Sequence, residues 1–272
     1  MTWNPPKDSL KPLIEDPRDF PLGALSAIPD LSEVKPLGIR PPNIYNQISD
    51  GNDDFCSAYA VCGALERDEG IALSPEFQFA SSKEISGDPE NWGQDLRSAM
   101  KAPLVHGIAE RRDILVPQNP TDRRYFKNYV DEVKKRAQLH KQRTYFKTSG
   151  PYSPVDNVRS WIWKYQKPAI LGVSWGWNLS DYELKGTPDG FGHAVYAVDF
   201  DDEGNLLVVN SAGRGAGRDG MHILSRDTAN EYITKYGAYM HQDVSKEEAQ
   251  MAVDMYRSGA PWWRKLFIRL FY

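Results

Sequence analysis

The chain has 272 residues, 40% hydrophobic and 26% charged, with a formal net charge of -4. That is globular composition without a sequence-wide basic field for nucleic acid, and no apolar run reaches the roughly 18 residues of a membrane span. Two cysteines, Cys56 and Cys62, exclude a disulfide framework, and the absence of an apolar h-region at the N-terminus predicts a cytoplasmic chain.

Residues 1–45 are proline-rich and lack sustained periodicity, as an extended arm would. A turn-rich stretch, Ser49 to Asp54, leads into a helix from Cys56 to Glu69 that Gly70 stops. Residues 95–102 predict a second helix. Residues 121–143 predict a long charged one, with Tyr125, Tyr129, Val130 and Val133 at helical spacing. Ser153 to Asp156 is a capping box with proline at the first helical position, opening a helix through Tyr165.

Beyond Pro168 the pattern becomes strand: residues 169–175, 191–200 and 205–210. A turn at Asp201 to Gly204 joins the last two as a hairpin. Ser245 to Glu248 opens a further helix to about Arg257. Helices before strands make an α+β pattern. The boundaries are an arm over 1–45, a helical lobe over 46–152, a β-rich lobe over 153–244 and a helical tail over 245–272.

Cysteine chemistry needs a thiolate, an imidazole to partner it and a group that orients the imidazole. Cys56 is expected at a helix start, where unpaired N–H groups and the dipole favour thiolate. Cys62, deeper in the same helix, reads as a small buried side chain. His106, His140, His222 and His241 stand in polar or loop-like contexts, whereas His193 opens an apolar strand. If Phe200 pairs with Asn205 across the turn, Asn210 faces Val195 and lies diagonal to His193. A one-residue slip would put them on opposite faces. The geometry permits a Cys-His-Asn triad without requiring it; read alone, Cys56 is equally a core cysteine and Asn210 a turn residue. No ligand spacing predicts a metal, and no helix follows the glycine run after Asn210 as a dinucleotide loop demands. No cofactor is expected.

Three stretches resemble the papain-like cysteine peptidases, more closely their prokaryotic and viral-type members. They are Tyr45-Asn46-Gln47 with Phe55-Cys56-Ser57-Ala58-Tyr59-Ala60, then residues 192–198 around His193, then residues 209–220 from Val209-Asn210-Ser211 through the glycine run. Residues 16–19 and 73–76 add weaker echoes. His193 follows Cys56 by 137 positions and Asn210 by 154, against a family interval of roughly 130–150.

The resemblance implies a two-lobed fold, a helical lobe and an antiparallel β-barrel-like lobe with the cleft between. It implies a thiol peptidase acting on peptide or protein substrates. Cys56 is then the nucleophile, His193 its base, Asn210 the group that orients His193, and Gln47 an oxyanion donor beside the Cys56 amide. An acyltransferase, or a weakly catalytic binding module on the same fold, are the alternatives.

Three departures carry expectations of their own. Asp54-Phe55 replaces the family's small pair before the cysteine, and inward-pointing Asp53 or Asp54 would disfavour thiolate. The interval from Gln47 to Cys56 is long. Ala212 replaces a tryptophan, which predicts a His193–Asn210 bond more open to water. The arm is shorter than the family's inhibitory propeptide, so activity without a zymogen stage is expected. Trp175, Trp177 and Tyr182 are expected along the cleft. The aromatic, basic segment Trp262 to Tyr272 is expected to pack on the body, on a protein partner or at a membrane surface.

Overall fold

The structure is a computed structural model that describes residues 10–11, 19–21, 30–114, 117, 119, 121–148, 152–185 and 190–257. Trp262 to Tyr272 lies outside the described residues, as does most of the 16–19 echo.

Among the described residues, three helices lie between Cys56 and Val105. α1 (Cys56–Glu69) matches its expected span, and Gly70 closes it at φ 69°, a left-handed position that suits glycine. α2 (Pro75–Ser86) was not expected, although its signals are local. Ser74 accepts from the Phe77 amide, Pro75 opens the first turn and Gly87 caps the end at φ 67°. α3 (Leu96–Val105) is capped by the Asp95 carboxylate, which accepts from the Ser98 amide at 2.8 Å.

The long helix expected over 121–143 is not formed. One-turn 3-10 helices at Asp122–Arg124 and Phe126–Asn128 precede α4 (Asp131–Ala137), and another at Gln138–His140 follows it. Tyr125 and Val130 are extended and break the run. Side-chain demands outweigh the periodicity. Arg123 and Arg124 turn inward to oxygen partners, while Phe126 and Tyr129 meet Phe77 edge-on at 5.3 and 5.4 Å.

The second half supplies most of one eight-stranded, mainly antiparallel sheet. Its strands are β1 (Phe20–Pro21), β2 (Thr144–Lys147), β3 (Ala169–Trp175), β4 (Glu183–Leu184), β5 (Phe191–Phe200), β6 (Leu206–Val209), β7 (Met221–Leu224) and β8 (Ala238–Gln242), in the order β1-β2-β8-β3-β5-β6-β7-β4. The spans of β3 and β5 match expectation. α5 (Pro154–Tyr165) and α6 (Arg226–Tyr236) pack on this sheet, and α7 (Lys246–Arg257) follows it. Of the 16–19 echo, the described Asp19 accepts from Arg97 Nη2 at 2.7 Å and from the Tyr145 hydroxyl at 3.0 Å, a largely buried clamp between arm and body.

α1 is the hinge of the architecture. It packs on α2 and α3 on one side and on β3 and β5 on the other, and its residues from Cys56 to Glu66 are buried. Gly63 allows the close approach: a Cβ there would sit 2.5 Å from the Tyr196 ring on β5. The helix that begins with Cys56 thus lies directly against the strand that carries His193.

Candidate active site

Cys56 is the first residue of α1, and no side chain caps the N-terminus at Phe55. The Ala58 amide bonds the Phe55 carbonyl at 2.9 Å, while the Cys56 and Ser57 amides act on the Cys56 sulfur itself. Burial pushes the Cys56 thiol up to about 12 and Asp54 adds to the rise, while the amides of Ala194, Ser57 and Cys56 itself pull it down. The Ala194 amide matters for placement. Ala194 is the next residue after His193 along β5, so the sulfur lies against the strand at that point. Cys62 is buried and free, and burial followed by Glu66 raises its thiol well above the ordinary value.

His193 Nε2 and Asn210 Oδ1 are 2.9 Å apart. The amide oxygen only accepts, so Nε2 carries the proton and Nδ1 the lone pair. The pairing arises from a register that corrects itself. Near the turn Phe200 pairs with Leu206, not Asn205, which is the slip that would separate the two side chains. A bulge between Ala197 and Asp199 absorbs one residue, and Tyr196 then pairs with Val209. Extending that ladder by one step sets Asn210 opposite Val195, diagonal to His193.

The His193–Asn210 bond is not open to water, contrary to the expectation drawn from Ala212. His193 and Asn210 are 0% and 1% exposed. The shielding comes from another strand. Trp175 on β3, itself buried, meets His193 edge-on with ring centroids 5.3 Å apart, and β3 pairs with β5 so that Val173 faces His193. Trp177 stands edge-on to Trp175 at 5.0 Å, while Tyr182 lies beneath Arg218 at 4.3 Å. Burial, partly offset by Asn210, depresses His193 to about 4.

Two histidines assigned to polar or loop-like contexts are instead buried in strands. His222 on β7 bonds the Asp181 carbonyl at 2.6 Å and meets the other edge of Trp175 at 5.4 Å. His241 on β8 bonds the Met100 carbonyl at 3.2 Å.

Gln47 is fully buried at the seam between the halves. Its backbone amide donates to the Ser211 carbonyl at 2.8 Å, its side-chain oxygen accepts from the Ser211 hydroxyl at 2.5 Å, and its Nε2 donates to the Asp53 carbonyl at 2.9 Å. A bridge from Asn46 to Ala212 continues the pairing. Gln47 is thus tied both to the strand end beyond Asn210 and to the loop entering Cys56. One Nε2 hydrogen serves Asp53; the amide has a second.

The acidic approach to Cys56 divides. Asp53 is exposed. Asp54 points inward and is buried; burial raises its carboxyl, and Arg124 at 2.8 Å opposes that rise. Phe55 stacks on Phe79 at 3.7 Å and fixes the last step before the helix.

Leu10 and Lys11 cross this region. Leu10 is 2% exposed, and its carbonyl oxygen lies where a Cβ on Gly192 would be only 2.2 Å away. Its side chain reaches Gly172 on β3, and its backbone bridges to Gln94, just ahead of α3. Lys11 continues to Asp88 at 2.8 Å. The segment therefore spans from the residue before His193 to the helical lobe.

No protein-family model matches the chain, and no curated protein sequence does. Solved structures do. Xylellain, a cysteine protease from Xylella fastidiosa, is 22% identical with a TM-score of 0.66, covering 86% of this chain and 95% of its own. The fold is papain-like. Digestive procathepsin L 3 of Tenebrio molitor larval midgut superposes with a TM-score of 0.60 at 17% identity, covering 82% of this chain and 74% of its own. Bromelain from Ananas comosus, solved with the E64 inhibitor, gives 0.52 at 17% identity, over 74% and 94%. At these identities the likeness establishes the papain-like fold, and the chemistry has to be argued from the residues above.

Proposed function

We propose that the chain is a cysteine peptidase working through a thioester acyl-enzyme, with Cys56, His193, Asn210 and Gln47 as its machinery. The single observation that carries this is the buried His193–Asn210 bond on the strand whose next amide, that of Ala194, meets the Cys56 sulfur. In the reaction the thiol proton passes to His193 Nδ1 and the sulfur attacks the peptide carbonyl. The oxyanion is held by the Cys56 amide and the Gln47 side chain. The C–N bond breaks as His193 returns its proton to the leaving amine, and water then cleaves the thioester with His193 as base.

A thiol-directed epoxide of the E64 type tests this, with peptide cleavage followed in parallel. One equivalent on Cys56 is expected to stop cleavage. Cleavage that survives complete modification of Cys56 would refute the reading.

Leu10 closes off part of the site. Cys56 and His193 are both 0% exposed, and burial raises the thiol and lowers the imidazole, which opposes charge on either group. Leu10 lies between the residue before His193 and Gln94. We therefore read Leu10 as an occupant that a substrate must displace, instead of the freely active form expected from the short length of the arm. Leu10→Asp sets a carboxylate in a buried apolar position, at a cost of several kcal/mol, and is expected to release the segment. The measurement is iodoacetamide labelling of Cys56 at pH 7, expected to accelerate on the order of tenfold or more. Equal labelling of both proteins would show that the arm does not control access.

A further inference from the structure

We propose that Arg123, acting through Asn52, is a positioning residue that aims both oxyanion donors. This deepens the peptidase reading and rests on it. The stretch between Gln47 and Cys56 is long, and a loose loop there would leave the Gln47 amide and the Cys56 amide independently mobile. The chain instead folds into tight turns, with the Asp50 amide on the Asn46 carbonyl at 3.1 Å and the Gly51 amide on the Ile48 carbonyl at 3.2 Å.

Asn52 joins the two ends. Its amide donates to the Gln47 carbonyl at 2.9 Å, and its carbonyl accepts from the Phe55 amide at 3.1 Å, one residue before Cys56. A rotation of Asn52 therefore moves both donors at once.

The Asn52 side chain is buried and bonded at both ends. Its Nδ2 donates to the Tyr59 hydroxyl at 2.9 Å and to Glu76 at 3.1 Å, and its Oδ1 accepts from Arg123 Nη1 at 2.9 Å. The same Nη1 reaches the Asp50 carbonyl at 3.0 Å, and Arg123 Nε holds the Pro117 carbonyl at 2.9 Å. Arg111 and Tyr59 secure the Asp50 carboxylate from the other side, at 2.9 and 2.8 Å. A planar guanidinium meeting three oxygens sets an orientation that a point charge does not. It also accounts for the single 3-10 turn at residues 122–124, which points Arg123 at the loop before Tyr125 breaks the run.

The consequence is specific to one kind of chemistry. Peptide hydrolysis passes through an oxyanion, whereas alkylation of the same sulfur by iodoacetamide does not. Loss of an oxyanion donor costs about 10²–10³ in rate, and a misplaced pair costs a part of that.

The experiment compares wild type, Arg123→Ala and Arg123→Lys as full chains. It measures kcat and KM on a peptide substrate and the iodoacetamide rate at Cys56. Arg123→Ala is expected to lose about tenfold to a hundredfold in kcat, with KM and alkylation within twofold, and Arg123→Lys to recover part of the loss through its single donor. If Arg123→Ala does not fold, Arg123→Lys alone must still show hydrolysis reduced and alkylation kept. An unchanged kcat, or alkylation slowed in step with hydrolysis, overturns the inference and leaves the peptidase reading standing. A wild type that alkylates at Cys56 yet cleaves no peptide overturns the peptidase reading, and this inference with it.

Discussion

Peptide hydrolysis by Cys56→Ala is expected to fall by on the order of 10⁶, to the residual rate that binding and the oxyanion donors leave, and that of His193→Ala by on the order of 10⁴ or more. The two losses share one cause. A thiol whose proton has no acceptor does not become the nucleophile, and the burial that pushes Cys56 up to about 12 makes unaided ionisation costly. Cys62→Ala is the control, since its sulfur lies deep in α1 beside Glu66 and its removal leaves the site's geometry in place. Asn210→Ala should lose less than His193→Ala, because it leaves an imidazole present but with its tautomer no longer set by the 2.9 Å bond. Steady-state kcat/KM on one peptide orders the series. Turnover by His193→Ala within tenfold of wild type would remove the imidazole from the mechanism.

How far the sequence anticipates this site depends on how local each signal is. Cys56 was legible because an alanine-rich run, a preceding turn and a terminal glycine fix one helix, and its first residue follows from that. His193 and Asn210 were legible as a pair only if the hairpin register held. At the turn it did not, since Phe200 pairs with Leu206; near the site it did, because the bulge after Ala197 takes up the extra residue. Bulges depend on the whole sheet, so the right diagonal came from a turn register that was itself wrong.

Trp175 shows a different limit. The shield over His193 comes from β3, a partner strand, and the missing tryptophan beyond Ser211 says nothing about what a neighbouring strand supplies. Arg123 was hidden for the same reason. It falls in the stretch read as one long charged helix, and only tertiary contacts with Asp50 and Asn52 turn it inward. His222 and His241 were misplaced because β7 and β8 are short and offer little periodicity, and their burial is set by the elements packed over them.

Those buried rings make the protein acid-labile well above the range where carboxylates titrate. His193 and His241 are both depressed to about 4, in each case chiefly by burial. In the unfolded chain each titrates near 6.5. Above that value both rings are neutral in both states, and their contribution to stability is intact. As the pH falls from about 6.5 to 4, the unfolded chain binds protons that the folded chain refuses. Folding is then opposed by about 3 kcal/mol per ring, on the order of 6 kcal/mol for the two. That is comparable to the whole stability of an ordinary domain. His222, also lowered by burial, acts in the same direction. Asp54 and Glu66 act against it, because burial raises their carboxyls and the folded state gains protons there first. Arg124 holds the Asp54 carboxyl partly down, and hydrogen bonds from Tyr45 and Asn43 do the same for Glu66, which limits that opposition. Urea unfolding at pH 7 and pH 4.5 is therefore expected to show a steep loss of stability at the lower value. His241→Gln separates this effect from catalysis, because His241 bonds the Met100 carbonyl on α3, away from Cys56, and glutamine retains a donor for it. The variant should lose less stability between the two pH values while cleaving peptide as wild type does at pH 7. An identical pH slope in the two proteins would mean that His241 binds its proton equally in the folded and unfolded chains, and would overturn the prediction.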